Sequence, residues 1–214
     1  MKKITSDLID ETLSRCPKLE SLKHAVIKAV EAASRGGGKV LVCGNGGSSA
    51  DGEHIVGELM KEFRCKRPVT DEFARAFAKL FPDDKALPGK LQGAISTINL
   101  SSHTSLTTAI ANDIGAEYIY AQQVYGYCDK NDVLIAISTS GNALNVINAA
   151  KTAKAKGGIV IAMTGADGGK LKEYADVLLN VPETETYRIQ ELHLPLYHLL
   201  CACTELELWG CNAK

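Results

Sequence analysis

This sequence carries no excess charge of either sign: 24 Lys and Arg against 25 Asp and Glu leave its 214 residues at a net charge of −1. Binding to nucleic acid mainly through electrostatics needs a basic surplus, so only a local patch could serve that role. Apolar runs long enough to span a membrane are absent too, and MKKITSDLIDETLSR has acids where a signal peptide has its apolar stretch. No CxxC occurs. Cys16, Cys43, Cys65, Cys128, Cys201, Cys203 and Cys211 form an odd set, which is expected to be thiols in a reducing compartment, and so the chain is expected to be cytoplasmic. GxxxxGK[ST] is missing, and Gly44-Asn45-Gly46-Gly47-Ser48-Ser49 fails the last position of GxGxxG, so no nucleotide cofactor is expected. What is there, 45 % hydrophobic and 23 % charged residues, excludes global disorder and suffices for a sizeable core.

Short β-branched runs alternate with helical spacing. Lys39–Cys43 runs into the glycine-serine turn, and Ala50–Phe63 returns to helical period. Asp132–Ile137 runs into Ser138-Thr139-Ser140-Gly141-Asn142 ahead of a helical 143–156. Residues 93–99, 159–163 and 175–181 supply three more strands, the last closed by Pro182. Strand, turn, helix in repetition is the pattern of a buried parallel sheet, so the expected fold is α/β: a three-layer sandwich with a five-stranded parallel sheet flanked by helices. Helices are expected over 3–35, divided at Pro17 and stopped by Gly36-Gly37-Gly38, and over 187–209. No composition break divides the chain, so one domain over 1–214 is expected, with residues 66–92 as an insertion bearing a small amphipathic helix at Phe73, Phe77 and Leu80.

Two turns rich in glycine and hydroxyls thus sit at the carboxyl ends of strands, each opening a helix whose free N–H groups favour an anion. Ser48, Ser49, Ser138, Thr139 and Ser140 add neutral donors suited to a phosphate monoester. His54 and Glu58 are spaced i, i+4 and share one helix face just beyond the first turn. A histidine and a carboxylate so placed are half of a zinc site, or a general acid/base pair. On the terminal helix Gln190 and His193 precede His198.

GNGGSSADGEHIVGEL, ISTSGNALNVI, TGADGGK and RIQELHLPLYH, in that order, resemble the sugar isomerase (SIS) fold family, of flavodoxin-like architecture. The resemblance runs from about Lys39 to Trp209, residues 66–92 excepted. It implies an aldose–ketose isomerase that converts sedoheptulose 7-phosphate to D-glycero-D-manno-heptose 7-phosphate for the heptose of lipopolysaccharide. Glu58 would be the base and His198 the acid, passing through an enediolate. Gly46, Gly47, Ser48, Ser138, Thr139 and Ser140 would hold the phosphate, with Asn45, Asp113 and Gln190 near the sugar. Zinc would be held by His54, Glu58, Gln190 and His198, although about 12 Å of helix axis separates the last two. The resemblance further implies a homotetramer with sites between subunits, and the leucines of the terminal helix suggest spare apolar surface for it. Ala143, Tyr187 and Pro195 depart from the family pattern. Two alternatives remain: a non-catalytic relative that binds the replication initiator, and an isomerase of another phosphosugar.

Overall fold

The computed structural model describes residues 1–35 and 37–210. Gly36, expected to help stop the second helix, and Cys211 lie outside the described residues. Five strands form one parallel sheet in the order β2-β1-β3-β4-β5: β1 (Val40–Gly44), β2 (Thr97–Asn99), β3 (Val133–Ile137), β4 (Ile159–Thr164) and β5 (Val177–Asn180). Side chains alternate along each strand and feed two separate cores. Val133, Ile135 and Ile137 of β3 enter one, Leu134 and Ala136 the other, and β1 and β4 divide in the same way. The first core is closed by α1 (Lys3–Arg15), α2 (Lys23–Ala33), α3 (Gly47–Met60) and α9 (Thr186–Trp209). The second is closed by α7 (Ile119–Tyr127) and α8 (Leu144–Ala155), with α6 (Thr104–Asp113) packed beside α7. The expected three layers are there.

Pro17 opens a 3-10 segment, Pro17–Leu22, that divides α1 from α2. The strand expected over 93–99 pairs with β1 only from Thr97, because earlier backbone donors are used elsewhere: Gly93 N–H bonds Arg67 O and Ile95 N–H bonds Leu59 O. Residues 66–92 carry α4 (Asp71–Leu80), N-capped by Thr70, and α5 (Leu87–Lys90). No residue of α4 is buried; Phe73, Phe77 and Phe81 stack along one exposed side. Exposed apolar surface lies on this excursion and also on α9: Ile189, Leu196, Leu199, Leu200 and Leu206 are consumed in the chain's own core, whereas Tyr187, Leu194 and Leu208 stay exposed.

The cysteine expectation needs one correction. Cys43, Cys128, Cys201 and Cys203 are buried free thiols and Cys16 a half-buried one, but Cys65 is disulfide-bonded. No helix among the described residues is long and apolar enough to cross a membrane.

Candidate active site

Strand order reverses at β1, whose neighbours β2 and β3 lead the chain away on opposite sides, and the crevice at such a point is where open α/β sheets take ligands. The turns after β1 and β3 flank it. In the first, Gly46 has φ +56°, a conformation that L side chains rarely adopt, and it releases α3 from Gly47, three residues earlier than the expected start. Ser48 is buried beneath the turn. In the second, Ser138 is buried, Thr139 half-buried and Ser140 exposed. Asn45 of the first turn and Asn145, in the first turn of α8 just beyond the second, form a reciprocal amide pair, Nδ2 to Oδ1 at 3.0 and 2.9 Å. Tyr120 fixes the first turn from below, donating to Gly44 O at 2.6 Å and contacting Asn45 Oδ1 at 3.1 Å.

The second turn is braced from behind. A Cβ on Gly141 would lie 2.1 Å from Gly168 O, and one on Gly169 would lie 2.4 Å from Ser140 O. Both glycines also have positive φ. The GADGGK stretch therefore works as a backbone wedge beneath Ser138–Gly141.

Helices α3 and α9 run side by side in the same direction. Gly47 meets the Gln190 side chain, His54 meets Tyr197 and His198, and just past α3 the N–H groups of Phe63 and Arg64 bond Glu205. Midway, three side chains converge. His54 Nε2 lies 3.0 Å from Glu58 Oε1 and 3.4 Å from His198 Nε2, and one donor atom from each of the three falls within 4.8 Å of the others. Burial and the His54 charge depress the His198 pKa, with Glu58 acting against them, so His198 favours the neutral imidazole. Two ring nitrogens and a carboxylate oxygen can hold a metal ion. A tetrahedral zinc would space its ligand atoms by about 3.3 Å; the two spacings from His54, 3.0 and 3.4 Å, are close to that, and the Glu58–His198 spacing lies within 4.8 Å.

Not every expected residue joins them. Gln190 stays at the first turn, against Gly47, well up α9 from His198. Asp113 ends α6 on an exposed surface, where its described hydrogen bond is from Asn112 Nδ2 at 2.7 Å. His193 is fully buried, with Nε2 3.3 Å from Thr164 O, and burial lowers its pKa to about 4; it is a neutral core residue. His24 is exposed and His103 stacks on Tyr127. Pro195 is accommodated inside α9.

Residues without a motif complete the surroundings. Arg67 and Glu205 form a fully buried ion pair, Nε to Oε1 at 2.5 Å. The Arg67 guanidinium also donates to the carbonyls of Leu59 (2.7 Å) and Glu58 (3.0 Å), closing the free carbonyl end of the helix that carries Glu58. Tyr197, whose pKa burial and Asp51 push upward, places its hydroxyl 2.9 Å from His54 Nδ1.

The SIS domain family model matches residues 99–201. A phosphoheptose isomerase of Helicobacter pylori (strain P12) is 40 % identical over 186 residues, covering 87 % of this chain and 83 % of its own. One of Rhodospirillum rubrum is 40 % identical over 176 residues, with 82 % and 80 % covered. Among solved structures, the phosphoheptose isomerase of Neisseria gonorrhoeae superposes with a TM-score of 0.71 at 35 % identity, over 92 % of this chain and 94 % of that one. That of Francisella tularensis superposes at 0.73 with 29 % identity, over 94 % and 96 %. The family model spans the second turn and His198, and at this identity and coverage of its relatives the chain belongs to the phosphoheptose isomerase family of SIS-domain proteins.

Proposed function

We propose that this chain, acting as one SIS domain, is an aldose–ketose isomerase converting sedoheptulose 7-phosphate to D-glycero-D-manno-heptose 7-phosphate, in the cytoplasm, for lipopolysaccharide heptose. The observation that carries the reading is the meeting of Glu58 and His198, 140 positions apart in sequence, around His54 and beside a crevice of hydroxyls and helix N-termini. The phosphate sits between the turns on Gly46, Gly47, Ser48, Ser138, Thr139 and Ser140. Asn45 and Gln190 contact the sugar. From Ser48 to His54 is about 9 Å along α3, which suits a sugar bound by its phosphate at one end and reacting at the other.

Glu58 takes the proton from the carbon alpha to the carbonyl while an N–H of His198 gives its proton to the carbonyl oxygen, yielding an enediol, the protonated form of the enediolate. Glu58 then returns its proton to the former carbonyl carbon while His198 recovers one from the hydroxyl on the neighbouring carbon, which becomes the new carbonyl, with no net redox change. The crevice dipoles hold the phosphate throughout. His54, Glu58 and His198 fit zinc in donor type and spacing, and three protein ligands leave a fourth position open. Bound zinc would supply Lewis-acid polarisation of the substrate carbonyl. Gln190 and Asp113 would join the centre only across a subunit boundary, which is where the homotetramer enters the proposal.

Glu58→Gln and His198→Ala proteins should each lose turnover of the ketose phosphate. A panel of ketose and aldose phosphates followed by proton NMR in deuterated water identifies the substrate, since the enediolate exchanges its alpha proton. Wild-type turnover by both variants would sink the reading.

A further inference from the structure

At the rim of the crevice the amides of Asn45 and Asn145 face each other, and only one sense of each satisfies the groups around them. Asn45 Nδ2 donates to Asn145 Oδ1 at 3.0 Å, and Asn145 Nδ2 donates back to Asn45 Oδ1 at 2.9 Å. Turning one amide over would set N–H against N–H and oxygen against oxygen. Turning both over would keep the pair but bring Asn145 Nδ2 against the Val146 N–H, which Asn145 Oδ1 accepts at 3.0 Å and shares with Ala143 O at 3.1 Å. Tyr120 does not make the choice. Its hydroxyl lies 3.1 Å from Asn45 Oδ1, and a hydroxyl can donate or accept, so it suits either end of the amide. The sense of Asn45 is therefore fixed from the first turn of α8, through a residue 100 positions away in sequence.

This sense leaves a donor free. An amide nitrogen carries two protons; Asn145 takes one from Asn45, and among the described residues no acceptor takes the other. Asn45 is exposed, on the turn after β1, where the strand order reverses. Its oxygen is meanwhile engaged by Asn145 and Tyr120. We propose that Asn145 is a positioning residue that holds Asn45 in the sense offering an N–H, and not an oxygen, to a hydroxyl or carbonyl oxygen of the bound sugar. Without Asn145 the Asn45 amide can turn about its last side-chain bond, and a ligand oxygen then meets either end of it. The proposal rests on the reading of this crevice as a phosphosugar site, and Asn145 itself touches no ligand in it.

A double-mutant cycle in the full chain tests it, with Asn45→Ala, Asn145→Leu and the two combined; leucine keeps the size of asparagine without its hydrogen bonds. With sedoheptulose 7-phosphate, each single variant should raise KM by roughly 3–10-fold, the worth of one neutral hydrogen bond, with kcat falling less. The double variant should be no worse than the worse single, because Asn145 acts only through Asn45. Competitive inhibition by inorganic phosphate should stay as in wild type, since the turn backbone and hydroxyls remain; a general loosening of the second turn would weaken it. Losses that add in the double variant, or phosphate inhibition that weakens together with KM in Asn145→Leu, overturn the proposal. Nitrogen-15 labelling at asparagine gives a readout free of turnover. The Asn45 Nδ2 signal, assigned by its loss in Asn45→Ala, should lie apart from the amide signals of denatured protein in wild type and move toward them in Asn145→Leu. A signal that does not move overturns the proposal as well. A wild-type chain that shows the tethered amide, yet neither turns over the ketose phosphate nor is bound by inorganic phosphate, supports the hold of Asn145 on Asn45 and overturns the functional reading instead.

Discussion

Replacing Glu205 by alanine tests how Glu58, the proposed base, is held in place. Glu205 is completely buried and accepts three hydrogen bonds: from Phe63 N at 2.9 Å, Arg64 N at 2.8 Å and Arg67 Nε at 2.5 Å. Its loss leaves the Arg67 guanidinium buried with no counter-charge, 4.9 Å from the centre of the Trp209 ring, and orphans two backbone donors. Breaking a buried pair from one side costs about 3–5 kcal/mol, a large part of the stability of a typical domain. At about 2–4 °C per kcal/mol for a chain of this size, the melting temperature should fall by roughly 6–20 °C. Because Arg67 also holds the Glu58 carbonyl, kcat should fall at temperatures where the variant remains folded. Thermal unfolding, together with kinetics well below the melting point, reads both effects. The double variant Arg67→Met/Glu205→Leu removes both charges and should recover much of the loss. A Glu205→Ala protein less than about 1 kcal/mol weaker than wild type would refute the reasoning, as would a double variant whose loss is the simple sum of the two singles.

His193 supplies a pH test. Burial holds its pKa near 4 in the folded chain, below the 6.5 of a free histidine, so its neutral form stabilises the fold above pH 6.5 and that contribution is lost as the pH falls toward 4. The loss is on the order of 3 kcal/mol, and denaturant melts across this window should flatten in His193→Leu; equal slopes in the two proteins would contradict it. Two glycine substitutions should differ in severity. Gly46→Ala meets only backbone strain, since nothing lies within 4 Å of its Cβ, and should cost about 1–2 kcal/mol. Gly141→Ala adds a collision with Gly168 O and should cost clearly more while raising KM for the phosphosugar; equal melting temperatures would count against the wedge. Cys43, whose thiol burial pushes up to about 12, should resist alkylation in the native protein while half-buried Cys16 reacts first, as mass spectrometry of labelled peptides would report.

Much of this architecture could be read before any coordinates, and the reason is locality. The runs at 40–44, 133–137 and 159–164 are apolar on both faces because both faces of the sheet are covered, and each is followed at once by its turn. His54 and Glu58 were legible because i, i+4 on a helix is a local relation. Helices α6 and α7 were less so: α6 has a single buried residue, so its apolar period is weak. Arg67 with Glu205, and His54 with Tyr197, left no local trace. A charge at position 67 reads as surface until the fold brings its partner from 138 residues away. Asp113 shows the converse. Its match to a family motif implied a place near the sugar, yet within one chain it stands exposed at the end of α6.

The matched advance of α3 and α9 also determines where this chain can change length. Each residue of helix turns the chain by about 100°, so deleting one between Ser48 and His54 would swing Glu58 off the face that His198 meets while leaving the phosphate turn untouched. The same deletion within 71–80, where no side chain is buried, disturbs no partner. Divergence in length can accumulate around α4, whereas the stretch from Gly47 to Glu58, and its counterpart from Gln190 to His198, must keep its residue count.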